Sequence, residues 1–152
     1  ENGLTTLPES IGQLKSLENL SSSRNKLTTL PESIGLLKSI IILYFNQNEL
    51  TSLPESIGKL RTLKELHLEA NHLITLPDSI GHLKSLKELS LKENQLKKLP
   101  STIEQLTLLK LLNIYDNPLI IPSKSVKEAL KSLKLKGCLI DVDDKALNLL
   151  DI

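Results

Sequence analysis

Residues 53–73 read Leu53-Pro54-Glu55-Ser56-Ile57-Gly58-Lys59-Leu60-Arg61-Thr62-Leu63-Lys64-Glu65-Leu66-His67-Leu68-Glu69-Ala70-Asn71-His72-Leu73. The spacing of its apolar residues changes along the stretch. Ile57, Leu60, Leu63 and Leu66 recur every third residue. Glu65-Leu66-His67-Leu68-Glu69 then alternates with period two, the pattern of a strand that buries one face. Leu66 and Leu68 point inward, and Glu65, His67 and Glu69 point outward. Proline fixes its own φ and lacks a donor, so Pro54 belongs to a turn and not to a central strand. Asn71 closes the alternation with a carboxamide that donates and accepts, as the backbone of a buried turn requires.

The stretch is one copy of several. Pro8, Pro31, Pro54, Pro77 and Pro100 are spaced 23 residues apart, as are Asn2, Asn25, Asn48, Asn71, Asn94 and Asn117. Two unrelated residue types holding one period mean stacked copies of a unit that cannot bury its core alone. The pattern L-x-x-L-x-L-x-x-N-x-L runs at Leu17–Leu27, Ile40–Leu50, Leu63–Leu73, Leu86–Leu96 and Leu109–Leu119. Gly12, Gly35, Gly58 and Gly81 also keep the period, and a tight backbone bend is expected at each.

On these motifs the chain resembles the leucine-rich repeat family, over residues 1–122. The L-P-E-S-I-G half is similar to the 23-residue subclass of bacterial and plant intracellular Ras-group-like repeats, among them short repeat proteins of leptospires. The resemblance implies an α/β solenoid with a concave parallel sheet and convex turns or short 3-10 pieces. It also implies a role in protein–protein recognition without catalysis.

Both ends depart from the unit. The chain opens at Glu1-Asn2-Gly3-Leu4, inside a copy, so a strand belonging to Asn2 is expected upstream and the chain reads as a trimmed fragment. Compartment stays open between secreted or cell-surface and cytoplasmic. Ser22 takes an inward leucine position: either the first complete copy is loosely packed, or it offers a weak point to a partner. Phe45, one copy later, is read as core. Thr102 and Glu104 replace the repeat serine and glycine. After Asn117 the period breaks, and residues 123–152 are the expected C-terminal cap. Ser123–Leu133 reads as an amphipathic helix with Ser123 as N-cap and Val126, Ala129, Leu130 and Leu133 on one face. Cys138, Ile140 and Val142 alternate as a short strand, and Lys145–Ile152 adds a helical turn. A sixth repeat, Leu130-x-x-Leu133-x-Leu135-x-x-Cys138-x-Ile140, competes with this reading. Both bury Cys138.

Composition narrows the function. Lysine plus arginine (19) nearly balances aspartate plus glutamate (18), which gives no overall pull toward nucleic acid. No apolar run is long enough for a membrane helix, so no membrane insertion is expected. One cysteine forms no internal disulfide. His67, His72 and His82 occupy different repeat positions, so no pair stacks into a metal site. No cofactor and no catalytic residue are expected.

The outward strand positions are then the candidate site. Their central column is Ser21, Tyr44, His67, Ser90, Asn113. On one side run Ser23, Asn46, Glu69, Lys92, Tyr115, and on the other Asn19, Ile42, Glu65, Glu88, Leu111. From these, Ile42, Tyr44, Asn46, Glu65, His67, Glu69, Ser90, Lys92, Leu111, Asn113 and Tyr115 are expected to meet a protein partner. Tyrosine is enriched among interface hot spots. Lys64, Lys87 and Lys110 form an outer row, read with Glu65, Glu69 and Glu88 as a solvated charge mosaic. The molecule is expected to be a monomer or to associate weakly end to end. Two other roles remain open: an assembly or sensor segment of a larger repeat protein, and a fragment of a bacterial effector enzyme.

Overall fold

A computed structural model describes residues 2–119 and 124–143. Six three-residue strands, β1 (Asn19–Ser21), β2 (Ile42–Tyr44), β3 (Glu65–His67), β4 (Glu88–Ser90), β5 (Leu111–Asn113) and β6 (Leu139–Asp141), form one parallel sheet in sequence order. The register repeats the sequence period: Leu20 pairs with Leu43, Leu43 with Leu66, Leu66 with Leu89 and Leu89 with Leu112. The fold is an α/β solenoid whose sheet lines the concave side.

Ahead of each of β1 to β5 the chain crosses the convex side in a 3-10 turn: Glu9–Gln13, Glu32–Leu36, Glu55–Lys59, Asp78–His82 and Ser101–Gln105. Each follows a proline at φ near −70° whose carbonyl accepts the isoleucine N–H, as from Ile57 to Pro54 O at 3.1 Å. The turn closes three residues on, where Leu60 N donates to Ile57 O at 3.2 Å. Ile57, Leu60, Leu63, Leu66 and Leu68 are all essentially inaccessible and join a continuous core, whereas the first copy is more loosely packed, with Leu14 48% exposed and Ile11, Leu17 and Leu20 half-buried. Phe45 joins it with no exposed surface.

The asparagines form the expected ladder. Asn71 Oδ1 accepts Leu50 N at 3.0 Å, and its Nδ2 donates to Phe45 O at 3.0 Å and Leu68 O at 3.1 Å. Asn48 and Asn94 repeat this pattern between their own neighbours. The carboxamide therefore ties two consecutive copies together and satisfies carbonyls that core leucines would otherwise strand.

The role of the glycines differs from the expected bend. None of Gly12, Gly35, Gly58 and Gly81 has positive φ. Glycine is required by proximity: a Cβ on Gly12 would lie 2.6 Å from Ser33 O, and on Gly58 it would fall 2.7 Å from Ser79 Cβ and nearer still to Ser79 O. Positive φ falls instead on Arg24, Gln47, Ala70, Glu93 and Asp116, the residue before each asparagine (52–57°).

The C-terminal segment is helix then strand. Helix α1 (Lys124–Leu135) buries Val126, Ala129, Leu130 and Leu133 and packs on the last 3-10 turn. It ends at Gly137, whose φ of +86° lets Cys138 N reach back to Leu133 O at 3.0 Å. The sixth-repeat register is not adopted, and Leu135 is 89% exposed. Because a helix, not another Ser-Ile-Gly turn, covers the last copy, Glu104 stands exposed where a glycine would otherwise be needed. The expected Ser123 cap and the turn at 145–152 lie outside the described residues.

Candidate functional site

The sheet register sets the outward columns side by side as the sequence arranges them. Ser21, Tyr44, His67, Ser90 and Asn113 are paired in series, and β6 extends the column with Asp141. Asn19, Ile42, Glu65, Glu88 and Leu111 form the adjoining column, ending in Leu139. Inward alternation of leucines leaves these side chains on the concave surface.

The face is not uniformly open. Ile42, Tyr44, Asn46, Glu65, His67, Glu69, Lys92, Leu111 and Asn113 are half-buried, and Tyr115 is 44% exposed. Ser90 is buried, at 5%, so its neighbours cover a hydroxyl that alternation had turned outward. Ser22 is also buried, within 3.4 Å of Asn25 Nδ2, and presents nothing to a partner.

Two tyrosine-centred patches result. In the first, the Tyr44 ring stacks on His67 with centroids 4.7 Å apart and planes 18° from parallel. His67 Nδ1 lies 3.3 Å from Glu69 Oε1 and its Nε2 lies 3.4 Å from Glu65 Oε2. The Glu69 hydrogen bond raises the basicity of His67 against the opposing effect of burial, helped by Glu65 and by the charge of Glu88. Burial pushes the Glu69 carboxyl up, but His67 and the nearby Ser90 hydroxyl outweigh it and hold Glu69 below the usual glutamate range. In the second patch, Lys92 Nζ is 3.1 Å from Glu93 and 5.9 Å from the Tyr115 ring centroid, a cation–π arrangement.

Donor atoms of Glu65, His67 and Glu88 lie within 4.8 Å of one another. Glu65 comes from the strand of His67 and Glu88 from β4, so the sheet register brings a second carboxylate to the imidazole that no pairing of histidines would reveal. Both His67 nitrogens face carboxylates, Glu69 at Nδ1 and Glu65 at Nε2. Lys64, Lys87 and Lys110 of the outer row are exposed to solvent. Glu65 and Glu88 turn toward His67, and among the described residues no ion pair involves Lys64, Lys87 or Lys110. Lys38 and Lys64, with Ser39, Ile41, Thr62 and Ser85, line a groove of about 360 Å³ at this rim.

Cys138 is 3% exposed, and burial pushes its thiol up to about 11. No helix of the described residues is long and apolar enough to cross a membrane.

A family model for the leucine-rich repeat region matches residues 1–71 and 55–150. The chain belongs to the leucine-rich repeat family. Among solved structures, this repeat protein is similar to a leucine-rich repeat protein of Leptospira interrogans (36% identity, TM-score 0.73), with 97% of this chain matched to 44% of that one. It is also similar to the plant peptide hormone receptor RGFR1 in complex with RGF2 (31% identity, TM-score 0.75; 90% of this chain, 22% of that one). A third likeness is the ectodomain of the receptor kinase GASSHO1/SCHENGEN3 of Arabidopsis thaliana in complex with Casparian strip integrity factor 2 (28% identity, TM-score 0.69; 75% of this chain, 14% of that one). The repeat protein thus spans less than half the length of each. No curated protein sequence matches it.

Proposed function

We propose that this repeat protein is a non-enzymatic protein-recognition module that binds its partner across the concave face, with Tyr44 and Tyr115 as the principal anchors. The observation that carries this is the division of labour in each copy. Leucine, proline and asparagine recur at fixed places in the scaffold, with Ser22 and Phe45 as exceptions, while the outward strand positions differ from strand to strand and most stand at least part-exposed on the sheet. Tyr44 and Tyr115 account for two of the chain's three aromatic residues. Ile42 and Leu111 flank them with apolar surface, and Asn46, Glu65, His67, Glu69, Lys92 and Asn113 supply a polar setting. Two of the similar solved structures are receptors in complex with a ligand, which supports the class of function. The buried, high-pKa Cys138 supports the non-catalytic reading. In this reading residues 1–122 carry the repeats and 123–152 close the C-terminal end.

The test is affinity capture with the wild-type chain, followed by titration of the captured protein against a Tyr44→Ala/Tyr115→Ala variant. A convex-side Lys59→Glu variant serves as control. The double variant is expected to lose at least tenfold in affinity with its fold intact, and the control to bind as wild type. Equal affinity of the double variant and wild type removes the concave-face assignment.

A further inference from the structure

His67 has a carboxylate on each ring nitrogen: Glu69 at Nδ1 and Glu65 at Nε2. A neutral imidazole has one N–H and one lone pair, and an ionised carboxylate only accepts. Neutral His67 can therefore donate to one of the two and must oppose a lone pair to the other. Only the imidazolium, with two donors, completes the arrangement.

The surroundings agree. From β2 the facing titratable group is Tyr44, whose ring stacks on the imidazole and favours its cationic form. From β4 it is Glu88, whose carboxylate joins Glu65 and His67 within 4.8 Å. Lys92, beyond β4, is engaged with Glu93 and does not neutralise the group. Glu69 meets His67 through Oε1, and from β4 the Ser90 hydroxyl stands beside the same carboxylate.

We propose that His67 is a proton-operated latch of the concave face. Protonated, it holds Glu65 and Glu69 to its two nitrogens beside Tyr44. Neutral, it releases one of them, and three carboxylates on adjacent strands lose their shared counter-charge. Glu65, Glu69 and Tyr44 then take a different arrangement at the centre of the sheet. The raised basicity of His67 and the lowered pKa of Glu69 have the signs that such mutual dependence requires. Since the latch lies among the proposed contact residues, affinity for a concave-face partner becomes proton-linked. That consequence rests on the proposed function, whereas the latch is a property of the chain alone.

The test is a ring-signal NMR titration of the whole chain between about pH 4.5 and 8.5, with His67→Gln to assign the His67 resonance and Glu69→Gln as second variant. The His67 midpoint is expected above the ordinary histidine value, with the Tyr44 ring signals moving at the same midpoint. In Glu69→Gln that midpoint is expected to fall, while unchanged His72 and His82 signals report an intact fold. A His67 midpoint at or below the ordinary value, Tyr44 signals that ignore it, or a midpoint indifferent to Glu69→Gln each overturns the latch. The Tyr44/Tyr115 capture experiment fails or succeeds separately, so the two ideas do not fall together.

Discussion

Glycine and asparagine recur once per copy for different reasons, and each reason is local. Asn71 serves four backbone groups at once, and two of them, Leu50 N and Phe45 O, belong to the preceding copy. Gly58 serves none; it is there because the next copy's Ser79 carbonyl and Cβ occupy the space of a side chain. Gly58→Ala is therefore expected to destabilise by about 3 kcal/mol, the cost of overpacking a site walled by backbone, whereas Glu104→Ala in the last copy changes little. Urea unfolding of the two variants checks the contrast, and similar midpoints for both would sink it. The period of both residues was legible in the sequence. The reason for glycine was not, because it depends on the distance to the neighbouring copy, and the spacing of a single chain contains no such distance.

At the scale of elements, strand and turn were readable wherever side-chain alternation drives them. Glu65-Leu66-His67-Leu68-Glu69 had to bury Leu66 and Leu68, and the register of all five repeat strands follows from that. The residue before each asparagine left no trace, since Arg24, Gln47, Ala70, Glu93 and Asp116 share a left-handed backbone and no side-chain chemistry. The C-terminal segment fitted two periodicities, and Leu135 decided between them. A sixth repeat would bury Leu135, whereas helix α1 turns it outward and buries Leu130. Leu130→Ala is accordingly expected to cost about 2–4 kcal/mol through lost burial and a cavity over the last turn. Leu135→Ala should remain within about 0.5 kcal/mol of wild type. Thermal and urea midpoints measured side by side distinguish them, and a costly Leu135→Ala would contradict the helical cap.

For the whole molecule, the concave face adds a pH dependence to a fold otherwise held by aliphatic packing. His67, raised above its ordinary 6.5, contributes stability that is full below that value and is lost as pH rises through the higher folded-state value. Glu69, lowered from its ordinary 4.5, contributes stability above 4.5 that is lost as pH falls through the lower folded-state value. The pair therefore stabilises most between 4.5 and 6.5. Wild type should exceed His67→Gln in melting temperature within that window, with the difference shrinking as pH rises through the raised folded-state value of His67. A difference that grows with pH would reverse the assigned sign.

Periodicity dictated which residues face inward, which strands are neighbours and which side chains share the concave surface. Hydrophobic burial with a period of two leaves one register open to the chain, and it acts through residue type alone. Tertiary structure decided how the outward side chains use that surface. Ser90 is buried there, Tyr44 lies flat on His67, and two glutamates close on one imidazole. The closing of Glu65 and Glu69 depends on side-chain rotamers within one strand segment, whereas the stacking of Tyr44 depends on the spacing between adjacent copies, which brings together groups 23 residues apart in the chain.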